Sequence, residues 1–230
     1  MIIFDKSYET PELNLAVDEF LLNEVNIGHY SGGICRTWES PNLFVVLGLS
    51  KKIEDDVNYD SCKRDGIPIL KRCSGGGTVL QGPGCFNYSF ILPMTYAREL
   101  ESLTNTTSYI LNIVKKTLSK TIKSIELKGI SDLTINDIKF SGNAQRRLKN
   151  AVLFHGTILY NFDLGLISEY LKEPPVQPEY RKKRSHKSFI QNININIEQL
   201  KTLFFGLSTS TNKLNSPNIP EKYTTKYNYL

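Results

Sequence analysis

Arg72-Cys-Ser-Gly-Gly-Gly-Thr-Val-Leu-Gln-Gly-Pro-Gly84 sets five glycines and one proline between two apolar, β-prone runs at 67–70 and 86–92. Three consecutive glycines remove every Cβ, so another group can approach the amides closely, and glycine adopts dihedrals closed to other residues. Consecutive exposed amides form a concave anion site, and Arg72, two residues before Ser74, supplies a fixed positive charge. The expectation is a loop wrapped around a phosphate or a carboxylate. The competing expectation is a tight hairpin that needs glycine only to turn. Neither common phosphate signature is present: there is no G-x-x-x-x-G-K-S/T, and no G-x-G-x-x-G opens a helix.

A second segment, DLTINDIKFSGNAQRRLKNAVLFHGTILYNFDL over 132–164, narrows the choice. Asn136-Asp137 fits a two-residue hairpin turn between short apolar strands. Strand alternation then sets Ile138 and Phe140 on one face and Lys139 and Ser141 on the other, with Gly142 allowing a bend. The run 152–160 reads as another strand, which separates Leu153, His155 and Thr157 from Val152, Phe154, Gly156 and Ile158. A lysine among apolar strand residues is unusual, because charge resists burial unless paired. Its plain alternative is an edge-strand lysine pointing into water. His155 alone reads equally as a packed, hydrogen-bonded core residue.

Together the two segments resemble the biotin/lipoate protein ligase family. Its lipoate ligases carry a basic pair, a serine or threonine and Gly-Gly-Gly ahead of a strand, here Lys71-Arg72-Cys73-Ser74-Gly75-Gly76-Gly77-Thr78-Val79. A second hallmark reads Lys139-Phe-Ser141-Gly142-Asn143-Ala144-Gln145-Arg146, and a third His155-Gly156-Thr157-Ile158-Leu159. Asn14-Leu-Ala-Val-Asp18, Arg36-Thr-Trp38-Glu-Ser-Pro41 and Val45-Val-Leu-Gly48 also fit, so ordered matches run from 14 to 171. The biotin branch has a Gly-Arg-Gly-Arg type of loop, where this chain has Ser74-Gly-Gly-Gly77. The resemblance implies an α+β fold, a mixed or antiparallel sheet with flanking helices like that of class II aminoacyl-tRNA synthetases and biotin–lipoate ligases.

It also implies a chemistry. A lipoate carboxylate attacks the α-phosphorus of ATP to give lipoyl-AMP, and a lysine of an acceptor domain then takes the acyl group as an amide. Bringing an anion onto a polyanion requires positioned cations and amide donors. Under the resemblance Lys139 is the catalytic group, bridging the acyl carbonyl oxygen and the α-phosphate. Arg72 and the amides of Gly77, Thr78, Val79 and Leu80 hold the phosphates, and Ser74 and Arg146 orient the acyl or phosphate group. Gly75, Gly76, Ser141, Gly142, Ala144, His155, Gly156 and Thr157 complete the binding surface. Mg²⁺ follows from ATP chemistry alone, with no ligand set legible in the chain. The acyl chain needs an apolar wall, expected from 45–47 and 90–92.

Two alternatives stay open. Octanoyl- and lipoyl-transferases of the same family act through a cysteine thioester, for which a thiolate is indispensable. One branch places that cysteine three residues before the His-Gly pair, where Val152 stands here, and the other places it ahead of the motif lysine, where 126–138 holds none. Gln81-Gly-Pro-Gly84 nevertheless resembles the transferase branch. Cys73 and Cys85, beside the loop, read as small semi-apolar residues. The other alternative is a non-catalytic module that binds lipoyl groups or nucleotide.

Hydrophobic residues make up 40% and charged residues 22%, the balance of a soluble globular protein. No apolar run approaches a membrane span, and the start of the chain lacks a secretory signal pattern. Four cysteines without zinc-type pairing suit a reducing cytoplasm. The expected organisation is one catalytic domain over 1–207 and a polar tail over 208–230. That leaves too little chain for the accessory domain of many bacterial lipoate ligases, so a separate accessory subunit is an option. Helices are expected after Thr10-Pro11, from Thr95 or Thr104 to about Ile122, from Asp163 to Leu171, and over 197–207.

Net charge is +5, and Tyr180-Arg-Lys-Lys-Arg-Ser-His-Lys187 carries much of it. The cluster lacks the interleaved aromatics of a nucleic-acid platform. A solvated loop, a lid, or a patch steering an acidic lipoyl acceptor domain all remain compatible with it.

Overall fold

The structure, a computed structural model, describes residues 1–208, 214 and 216–227. The chain runs β1 (Ile2–Asp5), α1 (Pro11–Asn26), β2 (Ile34–Trp38), β3 (Phe44–Leu47), α2 (Ile53–Asp56), α3 (Tyr59–Asp65), β4 (Ile69–Lys71), β5 (Val79–Gln81) and β6 (Cys85–Pro93). It continues through α4 (Leu103–Leu118), β7 (Ile125–Lys128), β8 (Asp132–Ile135), β9 (Ile138–Arg147), β10 (Ala151–Leu159), α5 (Gly165–Tyr170), α6 (His186–Phe189), α7 (Ile197–Phe205) and α8 (Glu221–Thr224). A seven-stranded sheet has the order β1-β2-β6-β10-β9-β8-β7, and a three-stranded sheet has the order β4-β3-β5. Among the described strands only β1–β2 and β3–β4 pair in parallel, so the fold is α+β with mixed sheets.

Helix starts follow the local chemistry. Thr10 caps α1 by accepting from the Leu13 amide at 3.4 Å, and Pro11 loses nothing in the first turn, where its amide would be unpaired. Asn196 and Gln199 form a reciprocal capping box on α7. The long helix α4 opens on Ser102 rather than on either threonine, and it ends at Leu118. Asp163 accepts from the Gly165 amide at the head of α5.

The large sheet is covered on both faces. Phe86, Phe90, Val152 and Phe154 pack under α4 and α7 against Leu111, Val114, Leu200 and Phe204. On the other face Val17, Leu21 and Val25 of α1 meet Ile34, Ile91 and Leu153. The same helix turns Leu15 and Ala16 toward Phe44, Val46 and Leu70 of the small sheet. Helix α1 is thus wedged between the two sheets, and the cavity described below opens beside it.

The segment read as a polar tail lies partly outside the described residues. Its part at 216–227 includes α8, and Tyr227 is buried with its hydroxyl on Glu19 Oε2 at 2.7 Å.

Candidate active site

The glycine loop is not a hairpin. Strands β4 and β5 do not pair with each other; both pair with β3, one on each side. The loop therefore arches over the end of β3, where Gly48 lies. A Cβ on Gly48 would sit 2.1 Å from the Gly76 carbonyl oxygen, so the crossing admits no side chain there. The Leu49 amide ties the arch down through the Ser74 carbonyl at 2.8 Å.

Arg72 shapes the arch from within. Its Nη2 donates to the carbonyls of Gly75 at 2.6 Å and Gly77 at 2.8 Å, and its Nε donates to Ser74 Oγ at 3.0 Å. With those carbonyls drawn inward, the amides of Gly75, Gly76, Gly77 and Thr78 donate to no group among the described residues. Gly76 holds a φ of +90°, and a Cβ there would lie 2.8 Å from Arg72 Nη2. Free amides in such a curve are an anion site. Val79 and Leu80, also expected among the amide donors, are instead registered on β3 opposite Val46 and Val45.

Behind the arch runs a buried relay. Ser74 Oγ meets His155 Nε2 at 2.6 Å, and His155 Nδ1 stands 3.7 Å from Asp18 Oδ2. Ser74 Oγ therefore joins the Arg72 guanidinium, from which it accepts, to the His155 ring. Asp18 also takes Arg36 Nη1 at 2.6 Å and the Ser89 hydroxyl at 2.5 Å. Burial pushes its carboxyl up, but Arg36, His155 and Ser89 outweigh burial and hold it below the ordinary range. Ser74 has no exposed surface, so it anchors the loop rather than facing a ligand.

Lys139 faces the same cavity from the opposite side. The expected alternation fails around it: Thr134 pairs with Lys139 and Leu133 with Ser141, which leaves Phe140 unopposed in a bulge. One extra residue reverses the pleat, and the lysine turns to the face of Gly142, whose Cβ would lie 2.8 Å from Nζ. The Asn136–Asp137 turn is as expected, with φ of 53° and 62°. The ammonium is 2.7 Å from Asp132 Oδ1, and its side chain is 28% exposed. Asp132 went unnoticed in the sequence, because the bulge that brings it to Lys139 leaves no periodic trace.

These groups line one cavity of about 510 Å³. Of the expected residues, Arg72, Gly76, Gly77, Thr78, Val79, Leu80, Lys139, Ser141, Gly142, Ala144, His155, Gly156 and Thr157 lie on its wall. Ser74 and Gly75 lie outside the lining, and Arg146 is exposed on β9 away from it. The apolar wall differs from expectation: Val46 contributes, whereas Phe90 and Leu92 belong to the core under α4. A central strand covered on both faces has no aliphatic side chain to spare, and β6 shows the cavity Asn87, Tyr88 and Ser89 instead. Sequence reading also missed Asp56, which lines the cavity and accepts from the Thr78 hydroxyl at 2.5 Å.

No group of three or more His, Cys, Asp or Glu among the described residues is arranged to hold a metal ion. The four cysteines are free and buried, and none lines the cavity. Burial pushes the Cys73 thiol up to about 12.

An amide cradle and a lysine thus face each other across one cavity, between the two sheets of an α+β domain. The chain belongs to the lipoyl protein ligase A/B catalytic domain family, whose family model matches residues 10–204. It is 32% identical over 170 residues to lipoate–protein ligase 1 of Plasmodium falciparum, across 69% of this chain and 39% of that protein. Its fold matches a solved bi-partite lipoate protein ligase from Thermoplasma acidophilum, described with its E2 lipoyl domain. The TM-score is 0.79 at 20% identity, over 98% of this chain and 90% of that one. A lipoate-protein ligase A bound with ATP matches at a TM-score of 0.78 and 19% identity, over 98% and 92%. At such identities the likeness concerns the fold. The chain spans about half the length of the curated relatives it matches.

Proposed function

We propose that this protein is a lipoate–protein ligase. A lipoate carboxylate oxygen bonds to the α-phosphorus of ATP, pyrophosphate leaves, and the resulting lipoyl-AMP is attacked by an acceptor lysine amine. An amide forms, AMP leaves, and the amine proton passes to solvent. The observation that carries this reading is the convergence of the Lys139 ammonium and the open amides of Gly76 and Gly77 on one cavity. Those groups offset the repulsion between carboxylate and triphosphate, and do so most where charge concentrates in the transition state. Arg72 acts by shaping the cradle, and His155 and Ser74 keep it in place.

Mg²⁺ fits as a companion of the nucleotide, since it is commonly held by one or two carboxylates plus substrate phosphates. Asp56, on the cavity wall with its Oδ1 buried and without a hydrogen-bond partner among the described residues, is the carboxylate that would meet it. Exposed Lys182, Lys183 and Lys187 support an acidic acceptor domain as the partner. A separate accessory subunit remains part of the proposal. So does a single catalytic domain over 1–207. Free cysteines suit a cytoplasmic setting, and no helix among the described residues is long and apolar enough to cross a membrane.

Burial of every cysteine away from the cavity favours adenylation over thioester transfer. Lipoate-dependent exchange of labelled pyrophosphate into ATP tests the choice, with mass spectrometry of an acceptor domain for the second step. Exchange is expected. Acyl transfer from a carrier protein without exchange would establish the transferase, and ligand-induced stabilisation without turnover would indicate a binding module.

A further inference from the structure

The basic segment after α5 does more than display lysines. Tyr180 donates its hydroxyl to Asp132 Oδ2 at 2.6 Å, while the other oxygen of that carboxylate holds Lys139 Nζ at 2.7 Å. One carboxylate thus joins a phenol to the reactive ammonium. An ionised carboxylate only accepts, so both contacts are donations to Asp132. Burial, and then the Asp132 charge, push the phenol above its ordinary pKa.

The segment is laced to the β8–β9 hairpin at several further points. Arg184 Nη2 donates to the Asp137 carbonyl at 2.8 Å, at the hairpin turn. The Gln191 amide donates to the Lys139 carbonyl at 2.9 Å. The Tyr180 ring packs on Phe189 with centroids 5.3 Å apart, and buried Arg181 pairs with Glu173. Lys182 and Lys183 occupy the left-handed region at φ of 51° and 57°. Such conformations persist only where surrounding contacts over-determine them.

We propose that Tyr180 is a positioning residue for Lys139, acting through Asp132, so that the basic segment sets how much of the ammonium's charge is free to meet an anionic ligand. What Lys139 then does rests on the ligase reading; where it stands does not. With the phenol in place, Asp132 divides its charge between two donors, and an incoming anion can share the ammonium. Without the phenol, one carboxylate oxygen loses its donor and the lysine becomes the sole partner.

A double-mutant cycle of Tyr180→Phe and Asp132→Asn tests the coupling, with Tyr180→Phe keeping the ring on Phe189. Two readouts apply: kcat/KM of lipoate-dependent pyrophosphate exchange, and the rate at which trace acetic anhydride acetylates Lys139, followed by mass spectrometry. Tyr180→Phe is expected to lower kcat/KM by about fivefold, the scale of one neutral hydrogen bond, mainly in kcat. It is also expected to alter Lys139 acetylation. In the Asp132→Asn background it should change neither. Additive effects, or a Tyr180→Phe protein indistinguishable from the parent in both readouts, would overturn the proposal. Absence of exchange in the parent would sink the ligase reading instead, and the acetylation cycle would then decide the positioning role alone.

Discussion

Ser74 Oγ and His155 Nε2 lie 2.6 Å apart beneath the glycine arch, and this contact couples the loop to the central strand β10. Ser74→Ala would leave the imidazole nitrogen buried without its partner. Such a loss costs about 1–3 kcal/mol. The expected outcome is an ATP dissociation constant raised roughly tenfold, measured by calorimetry, with a modest fall in melting temperature. Unchanged ATP binding would show that the arch holds its shape without this anchor.

Arg72 separates two ways of serving an anion. Its guanidinium grips two carbonyls and a hydroxyl at once, a fork that lysine's single ammonium cannot copy. Arg72→Lys keeps the charge and loses the fork. It should therefore impair ATP binding almost as severely as Arg72→Ala in the same titration. Near-complete recovery by lysine would assign Arg72 to the phosphates directly.

Lys139→Gln should slow pyrophosphate exchange by roughly a hundredfold or more, the scale of one preorganised contact of about 3–4 kcal/mol. Melting temperature should scarcely move, because the pair with Asp132 is partly solvated. A rate within tenfold of the parent would remove the ammonium from the reaction centre.

Asp18 and Arg36 form a buried pair at 2.6 Å that also steadies His155. The Asp18 carboxyl is held below its ordinary range, so its contribution to stability is complete above about pH 4 and is lost as pH falls through the lower folded value. Asp18→Asn should flatten that acid limb in thermal melts. At neutral pH it should destabilise by about 3–5 kcal/mol, because Arg36 is left charged and buried alone. A steep acid limb persisting in Asp18→Asn would place the linkage on another carboxylate.

Local chemistry was legible at several self-contained points. Thr10-Pro11 marked the start of α1, Asn136-Asp137 marked a turn with two positive φ values, and the glycine run marked amides that pair with no described group. What escaped depended on distant pairing. Nothing between 67 and 92 reveals that β3 lies between β4 and β5, so a hairpin stayed plausible. The bulge at Phe140 reverses the side-chain period and carries Lys139 to Asp132, and no count of alternating residues could have found it. Arg146 looked like a site residue from its spacing, yet it stands exposed beyond the cavity wall.

Because the two feet of the glycine arch stand on either flank of one strand, its span equals two inter-strand steps, roughly 10 Å. Backbone ladders on β3 fix that width, independently of the residues strung across it. The feet of the arch are thus set by strand pairing, while the path of the chain between them is set by Arg72 and Ser74.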